Sequence, residues 1–161
     1  MIAAVEGPAL AGGCELALAA DLIVAANDSQ FGNPEPKRGL IAAAGGVMRL
    51  RERLPRNIAM QLALTGDPMP ATRLAEFGLI NILAEPGRAL EAALELAETI
   101  AANAPLSLAG SKRIVDETSD WTTADGFAEQ YDIASTALFS EDAAEGVRAF
   151  NEKRAPVWKG R

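Results

Sequence analysis

The sequence predicts an α/β fold in two parts. Short apolar runs of strand length alternate with helix-forming stretches through residue 84, and from residue 85 onward the patterning is helical alone. No GxGxxG follows a strand, so the dinucleotide-binding version of this class is not indicated. The expected domains are a core with few strands at 1–84 and a helical region at 85–161. About four short strands would make a sheet with raw edges. The chain is therefore expected to lack the beginning of its fold.

The elements follow in order. Residues 2–5, Ile-Ala-Ala-Val, read as a buried strand that Glu6-Gly7-Pro8 interrupts. Residues 9–13 read as a Gly-rich turn and 14–20 as a helix. A strand returns at 21–26, and Asn27-Asp28-Ser29 is turn chemistry. Residues 30–32 are short and extended. Asn33 is extended too, because it precedes Pro34. After the small apolar run 39–46, helices are expected at 47–54 and from Pro55 to about Leu64. Thr65-Gly66-Asp67-Pro68 is a turn. A helix at 71–77 ends on Gly78, and 79–83 is a last strand.

In the second part, Leu90, Ala93, Leu94, Ala97 and Ala101 form an apolar stripe of helical period. Pro105 begins a helix to about Asp116, and another spans 121–138. Ser140 is an N-cap followed by Glu141 and Asp142 in the favoured first turn. Ala143, Val147 and Phe150 are expected on the inner face of that last helix.

Composition narrows the chemistry. The 161 residues suit one domain, 49% of them hydrophobic, with a mean hydropathy of +0.07. No apolar run is long enough for a transmembrane helix, and the first residues lack a signal-peptide layout. A cytoplasmic location is expected. Cys14 is the single cysteine, so no internal disulfide forms. There is no histidine, which removes Cys/His zinc sites and His-dependent nucleophile triads. No metal is expected. Acid–base work must run on carboxylates, Lys, Tyr or Cys, of which carboxylates are the abundant choice. The net charge of −7 disfavours nucleic acid as a partner. Lys37–Arg38 and Arg49, Arg51 and Arg53 are local basic clusters that could meet a phosphate-bearing substrate, although charge runs usually form a solvated face.

Two segments are candidates for the chemistry. In Ala11-Gly12-Gly13-Cys14-Glu15, a Gly-rich turn opens a helix, leaving backbone N–H groups unpaired and able to stabilise an oxyanion. Glu15 shares a helix face with Gly12. In Phe31-Gly32-Asn33-Pro34-Glu35, a carboxylate follows a stiff extended pair. Either carboxylate alone is more commonly a surface residue. Together they describe an oxyanion site with two carboxylates.

The segment Ile2-Ala-Ala-Val-Glu-Gly-Pro-Ala-Leu-Ala-Gly-Gly-Cys-Glu-Leu-Ala-Leu-Ala-Ala-Asp21 closely resembles the signature of the crotonases, the enoyl-CoA hydratase/isomerase family. So do Phe31-Gly-Asn-Pro-Glu-Pro-Lys-Arg-Gly-Leu-Ile41, Leu64-Thr-Gly-Asp67 and Ala75-Glu-Phe-Gly-Leu-Ile-Asn81. Residues 140–154 resemble that family's C-terminal helix. The match runs over the whole chain. It implies the C-terminal part of a crotonase-like spiral ββα core at 1–84, carrying the catalytic residues, and a trimerisation region at 85–161. It also implies an enoyl-CoA hydratase, with Gly12 in the oxyanion hole, Glu15 as the water-activating base and Glu35 as the proton donor. Pro8, Ala11, Pro34, Leu40 and Ala43 match substrate-binding positions. The implied partners are an acyl-CoA thioester and further copies of the chain in a trimer or hexamer. No cofactor is implied beyond the coenzyme A of the substrate.

The sequence departs from that pattern. Ala11-Gly12-Gly13 stands where the family usually has three glycines, and Ala42-Ala43-Ala44 where it often has Pro-Gly-Gly. The methyl groups are expected to reshape the acyl pocket. Relatives also carry a substantial region before this point, with the second oxyanion donor. The chain alone is therefore expected to be weak or inactive. Alternatives are an isomerase of the same family, which generally needs only one of the two carboxylates, or a non-catalytic oligomeric remnant. RNA binding is disfavoured by the acidic balance.

Overall fold

A computed structural model describes residues 1–161 as two compact units, Met1–Ala97 and Glu98–Arg161. The first unit is the α/β part. Strand β1 (Ile2–Val5) is followed by β2 (Pro8–Leu10) and helix α1 (Gly12–Leu18). Strands β3 (Leu22–Ala26) and β4 (Gln30–Gly32) come next. β1 pairs parallel with β3, and β2 pairs parallel with β4. Each turn of the chain thus adds its first strand to one sheet and its second strand to the other. β6 (Ile82–Ala84) extends the first sheet in parallel, and the two-residue β5 (Met69–Pro70) runs antiparallel to β4 in the second.

β2 lies where the sequence suggested a turn. Three residues show no alternation, and the pairing partner lies beyond a helix and another strand. β6 begins at Ile82 rather than at 79. Leu79 and Ile80 are buried core residues ahead of it, and the Asn81 side chain accepts from Ile23 N at 2.8 Å. An apolar run alone does not separate a buried loop from a strand.

β3 is the central strand, with Ile23, Val24, Ala25 and Ala26 fully buried. Ile23 and Ala25 enter the main core with Leu18, Phe31, Leu50, Leu62 and Leu74. Val24 points the other way, against Ala84, Ala89 and Ala93. The two-residue period of the strand separates these clusters. Helices α2 (Gly46–Arg53), α3 (Arg56–Thr65) and α4 (Ala71–Glu76) contribute to the main core.

Helix α5 (Ala89–Ala101) starts on a carboxylate from the far end of the unit: Glu6 accepts from Gly87 N at 3.0 Å and from Ala89 N at 2.8 Å. Its buried face is Ala89 and Ala93, with Ala92 and Leu96 beside them, while Leu90 and Leu94 are exposed. The expected stripe is therefore rotated. Small side chains face the sheet, and the leucines point outward.

The second unit packs α6 (Pro105–Glu117) on α7 (Gly126–Leu138) and adds α8 (Glu141–Glu152). α7 begins later than the expected residue 121. Thr118–Asp120 is a 3-10 turn, and Thr122 Oγ1 accepts from Asp125 N at 3.2 Å before the helix starts. Ser140 caps α8 as expected, accepting from Ala143 N at 3.0 Å. The inner face of α8 is not the expected one: Val147 and Phe150 are exposed, and Asp142 and Ala149 are buried. The tail explains the reversal. Asp142 accepts from Lys159 N at 2.7 Å and Gly160 N at 2.9 Å, and Glu145 accepts from Val157 N at 3.0 Å. Backbone donors have made the acidic side of α8 the inner one. No helix in the chain is long and apolar enough to cross a membrane.

Candidate active site

The site is built where β2 hands over to α1. Ala11 holds φ 51° and ψ −127°, a conformation rare for a residue with a side chain. Its N–H donates to Gly32 O at 2.9 Å, and its carbonyl accepts from Glu15 N at 3.0 Å. The chain is thereby turned sharply into α1 while tied to β4. A Cβ built on Gly12 or Gly13 would meet nothing within 4 Å. The backbone there faces open space, which lets a ligand approach it closely.

Glu15 is one turn into α1 and only 8% exposed. Its Oε1 accepts from Gly46 N, the first residue of α2, at 2.9 Å. One carboxylate oxygen is thus fixed by a helix N-terminus, where the dipole favours negative charge. The loop before α2 is itself tied, since Arg49 Nη1 donates to Ala44 O at 3.0 Å.

β4 leads directly to the second carboxylate. Phe31, Gly32 and Asn33 are buried, and Glu35 opens a 3-10 turn spanning Glu35–Arg38. Lys37 N donates to Pro34 O at 3.1 Å, and the Lys37 ammonium pairs with Asp67 in the turn after α3. Glu35 is half-buried, yet its Oε2 is enclosed and has no hydrogen-bond partner within the chain. The same holds for Oδ1 and Nδ2 of Asn33. Buried polar atoms without partners are few in folded proteins, and here they gather beside the two glutamates.

Cys14 reports the shared neighbourhood. Burial pushes its thiol up from the ordinary 9.0 to about 11; the Gly32 backbone hydrogen bond lowers it, and the charges of Glu35 and Glu15 raise it further. Both carboxylates therefore act on one sulfur. Among the residues expected to touch substrate, Ala11 and Pro34 are half-buried, while Pro8, Leu40 and Ala43 are exposed. Asn33 and Gly46 were not singled out from the sequence. Asn33 registered only as a residue before proline, and Gly46 only as the end of a small apolar run. No group of three or more His, Cys, Asp or Glu residues is arranged to hold a metal ion.

The sequence model of one family, described as enoyl-CoA hydratase/isomerase, matches residues 1–161. The chain belongs to that family. Its fold is the crotonase fold, here the ββα winding and the helices that follow it. An enoyl-CoA hydratase from Mycobacterium tuberculosis superposes with a TM-score of 0.98 at 60% identity, over 99% of this chain and 64% of that one. An enoyl-CoA hydratase from Mycobacterium marinum does so at 0.97 and 58% identity, with the same coverage of 99% and 64%. Among curated relatives, carnitinyl-CoA dehydratase of Salmonella typhi is 42% identical over 100% of this chain and 63% of its own length. The chain thus spans just under two thirds of each of these three proteins.

Proposed function

We propose that this family member works as an enoyl-CoA hydratase, adding water across the 2,3 double bond of an acyl-CoA thioester, with Glu15 and Glu35 as its acid–base pair. The observation that carries the reading is Glu15, a buried carboxylate with one oxygen held by Gly46 N, next to polar atoms that have no partner in the chain. The thioester carbonyl binds at Gly12 N–H, where open space meets the turn. Pro8, Ala11, Pro34, Leu40 and Ala43 contact the substrate.

In this mechanism Glu15 takes a proton from water as the oxygen attacks the β-carbon. The π electrons move onto the thioester oxygen, and the Gly12 N–H stabilises the enolate charge. Glu35 delivers a proton to the α-carbon. Glu15 then carries the proton that Glu35 has lost, and its return to Glu35 resets the pair. The same groups run backwards as a dehydratase of a β-hydroxyacyl-CoA, the direction for which the relative carnitinyl-CoA dehydratase is named. Coenzyme A enters as part of the substrate. An isomerase would use one glutamate and no water.

Loss of crotonyl-CoA absorbance tests this, followed for the 161-residue chain and for a form extended to a relative's full length. In whichever form hydrates, Glu15→Gln and Glu35→Gln are each expected to lower kcat about 10²–10⁴-fold, with the melting temperature retained. Hydration that survives the double substitution would overturn the two-glutamate mechanism. Double-bond migration without hydration would favour the isomerase.

A further inference from the structure

Asn33 ends the run that begins as β4 and is 1% exposed, yet neither atom of its carboxamide is bonded to another group in the chain. Its position relative to Glu15 is fixed by Gly46. A Cβ built on Gly46 would lie 2.4 Å from Asn33 Nδ2, 2.9 Å from Glu15 Cγ and 3.0 Å from the Ala42 side chain. Asn33 and Glu15 therefore flank one glycine, whose N–H is already given to Glu15 Oε1. Two residues on, Glu35 Oε2 is the third enclosed atom without a partner.

This arrangement is hard to explain as packing. A carboxamide in a core is nearly always bonded, because an unpaired one is costly and an apolar side chain of the same size is available instead. A hydrogen-bonding small molecule held beside Glu15 would supply the partner that the chain itself does not.

We propose that Asn33 is the positioning residue for the attacking water. Its Nδ2–H donates to the water oxygen, while one water hydrogen goes to Glu15. That leaves a lone pair aimed at the β-carbon. As the C–O bond forms, the O–H bond to Glu15 breaks, and the amide keeps the oxygen in line. This inference rests on the hydratase reading and adds a residue to it.

Two measurements test it. Crystals of the chain that order solvent are expected to show a water within about 3 Å of both Asn33 Nδ2 and the Glu15 carboxylate. Asn33→Leu keeps the side-chain size and removes both polar atoms. In the hydrating form it is expected to lose that water and to lower kcat for hydration about tenfold or more, with KM nearly unchanged. α-Proton exchange of a saturated acyl-CoA needs a glutamate but no attacking water, so it is expected to continue at the parent rate. An Asn33 carboxamide found bonded only to protein groups would overturn the proposal. So would hydration at the parent rate in Asn33→Leu, or exchange falling in parallel with hydration. A water in place in a protein that hydrates nothing would leave Asn33 as a water site and count against the hydratase reading alone.

Discussion

Ala11 shows how the site is reached at the scale of single residues. Its φ of 51° with ψ of −127° belongs to the region that glycine occupies freely and that other residues hold at a cost of about 1–3 kcal/mol. Two hydrogen bonds, to Gly32 O and from Glu15 N, keep it there. Ala11→Gly is expected to raise stability by about 1 kcal/mol, less than the full strain because glycine also gains freedom in the unfolded chain. A denaturation midpoint that fell would show that the methyl group contributes packing which outweighs the strain. Glu15 and Glu35 were legible as candidates from their segments alone. Asn33 and Gly46 were not, because a buried amide without a partner is a property of three-dimensional neighbours, and its sequence context spoke only of backbone.

Among the elements, the tail and α8 depend on charge. Glu145 accepts from Arg154 at 2.6 Å and 3.1 Å, and from Val157 N at 3.0 Å. Chiefly the Arg154 hydrogen bonds, and then that of Val157, hold its carboxyl down from the ordinary 4.5 to about 2. Glu141 is lowered as well, first by its hydrogen bond from Lys159. A carboxyl lowered in the folded state stabilises it fully above the ordinary value and ceases to do so as pH falls through the lowered one. The tail is therefore expected to loosen between about pH 4.5 and 2. Trp158, whose indole donates to Ala102 O at 2.7 Å, reports this. In a Trp121→Phe background its emission should shift to the red over that range, and Glu145→Gln should show the shift already at neutral pH. Emission unchanged down to pH 2 would refute this role of Glu145 in holding the tail. The Ser140 cap was legible, because capping is local chemistry. The inner face of α8 was not, since the backbone N–H groups that occupy it come from the tail.

At the scale of the whole molecule, the helical unit leaves large apolar side chains in the open. Phe127 is 83% exposed and Phe150 84%, with Phe139 and Val147 also exposed. Apolar side chains that share one exposed patch mark a site of association, and we propose that copies of this chain assemble through these four into a trimer or hexamer. Light scattering is expected to give a mass several times the 16.8 kDa of one chain. Val147→Asp together with Phe150→Asp should reduce it toward one copy. A wild-type monomer at high concentration would remove the assembly.

Much of this protein was determined by its sequence alone. The α/β class, the strands expected at 2–5 and 21–26, the Ser140 cap and the two glutamate-bearing segments follow from periodicity, turn residues and local hydrogen bonding. These signals act over a few residues and survive in isolation. Tertiary structure alone decided the pairing of β2 with β4, the outward rotation of the α5 and α8 stripes, and the meeting of Glu15, Gly46 and Asn33. Each of those depends on groups brought together from distant parts of the chain, and no local pattern encodes which distant group will supply the bond.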